Sequence, residues 1–458
     1  MAFIKSISGF RGTIGGKSGD NLTPLDIVKA CAGYGAFLLE SFANQKVKVV
    51  VGRDARISGP MVKSLVTGTL SAMGIDIVDL DLATTPTVEM AVVGFQAHGG
   101  IILTASHNPK QWNALKLLNN KGEFINGEEG KRVLELGEQN LSYADVDDLG
   151  KIEQGAYLKE HIQAILNINA VDAAKVKQCN FKVVVDGINS VGAVAIPALL
   201  AELGVQNVEV INAEPTGEFA HNPEPLKEHL TELCGQVKKS GADMGIVVDP
   251  DVDRLAFVME NGEMFGEEYT LVAAADHYLK YNSGNLVSNM SSSRALRDLA
   301  TEKGVNYFSS EVGEVNVVRT MKAENAAIGG EGNGGVILPE LHYGRDALVG
   351  VGLVLTLMAE TGKSLSELRA GYSHYEMIKD KIQLDPSLDV DQLLNRIEQT
   401  FANEQLDNRD GVKIDFSEGW VHLRKSNTEP IIRVYAEAAT ASKASELIQN
   451  LKSQVNLS

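Results

Sequence analysis

Apolar positions along the chain fall into short blocks that alternate with stretches of helical spacing. Leu25 to Phe42 has the period of an amphipathic helix, with Pro24 near its start and Asp26 in its first turn, and Val47 to Gly52 is an apolar run of strand length ending in Gly52, Arg53 and Asp54. Helix Gly59 to Met73, strand Ile75 to Leu80 and helix Pro86 to Gln96 continue the rhythm. Gly99 and Gly100 then introduce Ile101, Ile102 and Leu103, a predicted buried strand that empties into the polar turn Thr104, Ala105, Ser106, His107, Asn108, Pro109. Such alternation calls for a mostly parallel sheet covered on both faces, with ligands at the carboxyl ends of its strands. Ser106 is predicted at such an end.

The polar segment Gly137 to Gly150 reads as a boundary. A second α/β unit follows, with an amphipathic helix from Ala156, strand Phe181 to Asp186, helix Ile188 to Leu203, strand Val208 to Ile211, helix Pro225 to Lys239 and strand Met244 to Val248. A third starts at a hairpin turn, Asn261 and Gly262, and continues through helix Glu267 to Lys280, strand Leu286 to Asn289, helix Arg294 to Gly304 and strand Val305 to Phe308. From Tyr375 the pattern becomes α+β, with strands Met377 to Leu384, Val412 to Phe416, Trp420 to Leu423 and Ile431 to Ala436, and helices Val390 to Phe401 and Ser442 to Val455.

Candidate chemistry lies at the strand ends. Asp249, Asp251 and Asp253 follow an apolar strand at alternate positions, so an extended segment projects them to one side, where a divalent cation offsets their repulsion. All-oxygen ligands suit magnesium. An EF-hand is excluded because Arg254 stands where its glycine is needed and Leu255 to Met259 reads as a buried strand. A phosphatase loop with Asp249 as nucleophile and a solvated acidic turn are the other readings. In Gly329 to Gly335, glycines surround Glu331 and Asn333, which suits close approach of a polyhydroxylated ligand. Arg424, Lys425, Ser426, Asn427, Thr428 and Arg433 form a phosphate-binding candidate. Arg11, set among Gly9, Gly12, Gly15 and Gly16, reads either as an anion loop or as a flexible turn. Lys116 can return to the edge that carries Ser106 or remain a solvated strand charge.

Composition narrows the function. The 458 residues accommodate roughly three or four domains. No apolar run is long enough to span a bilayer and Met1 to Gly19 has no signal-peptide pattern, so no membrane partner and a cytoplasmic location are expected. Cys31, Cys179 and Cys234 show no metal spacing and are expected as core thiols. A formal charge of −18 without a basic tract excludes a nucleic-acid partner. It also makes individual arginines informative about where an anionic substrate is held.

Thr104 to Pro109, Asp249 to Arg254, the loop opening Gly330-Glu331 and Arg424 to Pro430 together resemble the α-D-phosphohexomutase superfamily of phosphoglucomutases, phosphomannomutases and phosphoglucosamine mutases, in the family's order and over nearly the whole chain. The resemblance implies three related α/β domains (1–150, 151–255, 256–371) and a carboxyl-terminal α+β domain of the TATA-box-binding-protein-like type (372–458) around a central cleft. It implies that Ser106 is a phosphoserine, and that Asp249, Asp251 and Asp253 bind Mg²⁺ with a phosphoryl oxygen of that serine. It gives Arg11, Lys116 and Arg254 electrostatic or proton-transfer roles. Glu331 and Asn333 would hold sugar hydroxyls, and Arg424, Ser426, Asn427, Thr428 and Arg433 the phosphate not being transferred. A hexose 1,6-bisphosphate would be intermediate and activator, the substrates hexose phosphates, and the enzyme a monomer or homodimer.

The sugar loop departs from many bacterial members, since Gly335 replaces an expected histidine and Glu314 stands where some members place another. His107 and His342 are expected to make structural hydrogen bonds. Glucosamine, mannose and glucose phosphates all remain substrates, with a lean to glucosamine phosphate. A non-catalytic phosphosugar sensor and an Asp249-dependent phosphatase are the competing functions.

Overall fold

Val49, Val50 and Val51 are all fully buried, which requires protein on both faces of their strand. Lys48–Arg53 lies between Gly99–Leu103 and Asp76–Leu82 and runs parallel to both. In this computed structural model, which describes residues 3–6, 9–383, 390–425 and 431–455, those strands form the middle of a seven-stranded sheet. Val49, Val51, Ile101 and Leu103 face a core with Ile27, Val62 and Leu136, whereas Val50 and Ile102 face Val88, Ala91 and Val92. The sheet is mixed rather than wholly parallel. Trp112–Leu118 runs antiparallel to Gly99–Leu103 on one side and to Gly9–Thr13 on the other. That reversal sets Lys116 opposite Ile102 and Arg11 opposite Ala114.

The chain forms two compact units, one of Met1–Asn282 with Asn333–Leu368, the other of Ser283–Gly332 with Arg369–Ser458. The first also holds a four-stranded sheet in which Met244–Val248 is parallel to Lys182–Asp186 and antiparallel to Leu255–Met259, with Asn207–Ile211 at the far edge. Helix Ala347–Thr361 belongs to this unit and is buried continuously from Ala347 to Met358. Its apolar residues surround the axis, so the sequence offers no 3.6-residue period to find it. Asp346 caps its start by accepting from the amides of Leu348 and Val349.

In the second unit Asn285–Asn289 runs parallel to both Tyr307–Ser310 and Ala326–Glu331. The carboxyl-terminal segment is a five-stranded antiparallel sheet whose Val421, Leu423, Ile432 and Val434 pack against Leu393 and Ile397 of helix Val390–Thr400 and Ile448 and Leu451 of helix Ala441–Gln454. Among the described residues no helix is long and apolar enough to cross a membrane.

Some boundaries differ from expectation. The helix expected over Pro225 to Lys239 is confined to Thr231–Ser240, because the prolines at 223 and 225 disfavour helical geometry in the residues before them and only a short 3-10 turn, Lys227–His229, intervenes. The helix expected from Ile188 begins at Gly192, since Ile188 and Asn189 adopt left-handed conformations. The strand expected at Val305 to Phe308 lies at Tyr307–Ser310. Cys31 is a core thiol, but Cys179 is exposed and Cys234 half-buried.

Candidate active site

Ser106 leaves the end of strand Gly99–Leu103 with a φ of +49° and is 3% exposed. Its amide donates to Thr104 Oγ1 at 3.0 Å and its hydroxyl to Asp249 Oδ2 at 2.6 Å. The serine is therefore aimed into the acidic cluster. His107 Nδ1 lies 3.3 Å from Ser106 Oγ, and burial together with Arg254 and Arg11 holds its imidazole well below the usual pKa, hence neutral.

The three aspartates converge, but through a turn and not through an extended segment. Val252 has a φ of +65° and donates its amide to Asp249 O at 3.0 Å, while Asp249 Oδ1 accepts from the amides of Asp253 and Arg254, both at 3.1 Å. A carboxylate that bonds amides four and five residues on folds its own loop around itself. One oxygen from each of Asp249, Asp251 and Asp253 lies within 4.8 Å of the others, and all three residues are fully buried. Lys116 Nζ reaches Asp251 Oδ2 at 2.7 Å and Asp253 Oδ2 at 3.3 Å. Arg345 donates to Asp253 Oδ2 at 2.7 Å, and Thr85 Oγ1 to Asp251 Oδ2 at 2.6 Å.

Charge sorts these groups. Burial pushes the Asp249 carboxyl well above its usual pKa, and Asp253 and Asp251 add to the shift. Burial also opposes ionisation of Asp253, but Arg345, Lys116 and Arg254 outweigh it and hold that carboxyl low. For Lys116 burial is outweighed by Asp251 and Asp253, so the ammonium is held charged. Oδ1 of Asp251 and Oδ1 of Asp253 are buried without a hydrogen-bond partner. Orphaned carboxylate oxygens beside a third buried carboxylate are what a hard divalent cation satisfies, so the donor set fits Mg²⁺.

Lys116 is thus a buried partner of the aspartates and not a solvated strand charge. Arg11 donates to Asn108 Oδ1 at 3.0 Å, beside the serine turn, and burial together with Arg254 and Arg56 lowers its pKa against the pull of Asp251. Arg254 lies with Nε 4.0 Å from Asp249 Oδ2 and NH1 3.5 Å from Glu224. Arg345 and Thr85 escaped the sequence reading because each is far along the chain from the aspartate it touches. His342 lies between Glu89, at 3.2 Å, and Asp346, at 3.3 Å, and those carboxylates outweigh burial to push its pKa up to about 10. His161 Nε2 approaches the same Asp346 oxygen at 2.8 Å. The structural hydrogen bond expected of His342 is present.

Residues of the glycine-rich loop divide between the units. In the first, Asn333 Oδ1 accepts from the Gly335 amide at 3.2 Å, and Gly334 has a φ of +86° and lies where a Cβ would stand 2.0 Å from Leu255 O. In the second, Glu331 ends strand Ala326–Glu331, is 4% exposed, and accepts from Asn289 Nδ2 at 2.9 Å and the Gly313 amide at 3.1 Å. Arg424 is paired directly with Arg433 across adjacent strands, and Arg433 in turn with Lys381. Directly opposed residues share a face, so three cations form one rung of the sheet. Such a row is unfavourable unless anions offset it, and Asp410, 2.8 Å from Arg424 Nε, supplies one. Lys381 was not foreseen, since only strand pairing brings it to the arginines. Ser426, Asn427 and Thr428 lie outside the described residues.

Family models for the phosphoglucomutase/phosphomannomutase alpha/beta/alpha domains I, II and III match residues 4–143, 159–262 and 266–375, and the model for the C-terminal domain matches 383–453. The chain belongs to the phosphoglucomutase/phosphomannomutase family. A phosphoglucomutase/phosphomannomutase of Thermococcus kodakarensis is 37% identical over 445 residues, covering 96% of each chain. A probable phosphoglucosamine mutase of Methanopyrus kandleri is 30% identical over 445 residues, covering 96% of this chain and 95% of its own. The putative phosphomannomutase of Thermus thermophilus superposes with a TM-score of 0.83 at 26% identity, with all of both chains covered. This family member is a phosphohexomutase, an isomerase of hexose phosphates. Its serine and aspartates form a charge cluster within the first unit, and its basic rung lies on the second.

Proposed function

We propose that this phosphohexomutase interconverts hexose 1-phosphates and 6-phosphates through phosphorylated Ser106 and a bound 1,6-bisphosphate. The single observation that carries this reading is Ser106 Oγ at 2.6 Å from Asp249 within a buried aspartate cluster that has two oxygens unsatisfied. Asp249, Asp251 and Asp253 would hold Mg²⁺ with a phosphoryl oxygen of Ser106. When bound, the cation offsets charge on the phosphoryl group in flight.

The free hydroxyl of the substrate attacks phosphorus as the Ser106 Oγ–P bond breaks, and the hydroxyl proton leaves to a base. The bisphosphate then turns over, and its other phosphoryl group passes to Ser106 Oγ, leaving the isomeric monophosphate. Phosphoserine adds about −1.5 to −2 charges beside three carboxylates. Lys116, Arg345, Arg254 and Arg11 supply the positive charge that makes this tolerable. Glu331 and Asn333 are assigned to sugar hydroxyls. Arg424 and Arg433, with Ser426, Asn427 and Thr428, are assigned to the phosphate not in transit. The boundaries 1–150, 151–255, 256–371 and 372–458 are our division into domains, and we assign the enzyme to the cytoplasm.

Ser106→Ala is expected to abolish turnover, and Asp251→Ala to lower kcat by roughly 10³-fold or more, both with the fold intact. Wild-type rates from a folded Ser106→Ala protein would overturn the proposal. The substrate preference leans to glucosamine phosphate, in line with the names of several relatives. It is tested by kcat/KM for the 1-phosphates of glucosamine, mannose and glucose with Mg²⁺ and a trace of the matching bisphosphate. Comparable values for two sugars identify a dual-specificity mutase.

A further inference from the structure

Strand Lys48–Arg53 runs beside the serine strand and continues into Asp54, Ala55 and Arg56, to which the proposed chemistry gives no part. The Arg56 side chain is completely buried. A guanidinium has five N–H donors and no acceptor. All five are engaged here. Nε donates to Asp54 Oδ2 at 3.0 Å, NH1 to the carbonyls of Pro109 at 2.8 Å and Trp112 at 3.0 Å, and NH2 to those of Ser106 at 2.5 Å and Asn108 at 2.6 Å. The four carbonyls belong to both limbs of the loop that carries Ser106.

Asp54 ties the same loop from its other side. Its Oδ1 accepts from the Arg56 amide at 3.0 Å, and its Oδ2 accepts from Thr104 Oγ1 at 2.6 Å, the oxygen that in turn receives the Ser106 amide at 3.0 Å. The carbonyl and the amide of Ser106 are therefore both fixed by this buried pair. The loop has reason to need it. Ser106 holds a φ of +49°, a conformation that residues other than glycine adopt at a cost and leave when unrestrained. Relaxation of that angle would swing Oγ away from Asp249. Four carbonyls shared between two nitrogens match a forked guanidinium and not the single nitrogen of lysine.

We propose that Arg56, oriented by Asp54, is the positioning residue of the phosphoryl-carrying serine: it clamps the backbone of residues 106–112 so that Ser106 Oγ is presented to the aspartate cluster. With all five donors engaged, Arg56 has none left for a substrate or the transferred group. The inference rests on the proposed role of Ser106.

The test uses full-length Arg56→Lys and Thr104→Val, with wild type and Ser106→Ala alongside, measuring kcat, KM and, by intact mass and peptide mapping, the phosphate acquired at residue 106 from glucose 1,6-bisphosphate. Arg56→Lys is expected to lower kcat by about 100-fold, the loss that accompanies a misplacement on the order of 1 Å, with KM changed by less than about threefold. Thr104→Val, which removes no charge, is expected to lose about tenfold in the same sense. In Arg56→Gly, millimolar guanidinium chloride is expected to restore part of the lost kcat. A folded Arg56→Lys with wild-type kcat, or a loss confined to KM, overturns the inference. If Arg56→Lys does not fold, wild-type kcat in Thr104→Val does so alone. Unimpaired Ser106→Ala, or wild type that acquires no phosphate at Ser106, refutes the role of the serine instead.

Discussion

Asp251 and Asp253 each keep one buried carboxylate oxygen out of every hydrogen bond, while their other oxygens are held by Lys116, Arg345 and Thr85. The cluster is thus built with cations on one side and a demand for positive charge on the other. A cation bound there stabilises the folded chain by mass action, about 2.7 kcal/mol at a hundredfold excess over Kd. Titration with MgCl₂ is expected to raise Tm by several degrees in wild type and not in Asp251→Ala, and EDTA is expected to reverse the rise. His422 gives a second prediction. It bonds Ser291 Oγ at 2.8 Å and Asp410 O at 2.7 Å, and burial, reinforced by Lys413 and Arg424, lowers its pKa to about 4. A histidine kept neutral by folding is protonated first in the unfolded chain, so its contribution is whole above about pH 6.5 and drains away as pH falls towards 4. Urea midpoints of wild type should therefore fall faster across that window than those of His422→Asn. Equal slopes would show that the imidazole titrates normally in the folded chain.

Strand pairing decides which distant residues meet. Arg11 reaches the serine turn and Lys116 the aspartates because Trp112–Leu118 turns back antiparallel between Gly9–Thr13 and Gly99–Leu103, and Lys381 joins Arg424 and Arg433 for a similar reason. Contiguous motifs were legible: the serine turn, the three aspartates, the glycine-rich loop and both arginines were visible as residue types in a row. Arg345 and Thr85 were not, because their value lies in contacts across 92 and 166 residues of chain. Most helices and strands announced themselves by period, whereas Ala347–Thr361 has apolar residues all round and hides its own. The aspartate segment is a turn where an extended segment is expected, because alternate spacing fits a strand as well as a loop; the left-handed Val252 and the amides that bond back to Asp249 distinguish them. At the element level the loop after Glu331 is equally constrained. Gly334→Ala places a Cβ 2.0 Å from Leu255 O at a φ of +86°, where left-handed geometry alone costs about 1–2 kcal/mol. Denaturant titration is expected to show at least that loss, with the hydrogen bond that the Leu255 amide donates to Gly334 O at 3.1 Å disrupted; an unchanged midpoint would mean that the loop shifts without cost.

An acidic chain of net charge −18 that handles anions must concentrate its cations, and both candidate regions do so on a small scale, one around the aspartates and one on the basic rung. The carboxyl-terminal segment of the second unit has a core of its own, built on Ile397, Val421, Val434 and Ile448. Calorimetry is expected to resolve more than one transition, with the calorimetric enthalpy exceeding the van't Hoff value; a ratio of one would show that the units melt together. The chain passes from one unit to the other after Asn282, Gly332 and Leu368. On the ribosome this order has a cost. When Asn282 has emerged, the serine and all three aspartates are already made, yet the apolar helix that their unit buries, Ala347–Thr361, is still untranslated. At about 5–20 residues per second the nascent chain waits several seconds or more with that surface uncovered while a segment of the other unit is synthesised. A pause in translation between 283 and 346 would lengthen the exposure, and a chain cut short there would reach the cell with its serine and aspartates made and its interior open to chaperones and proteases.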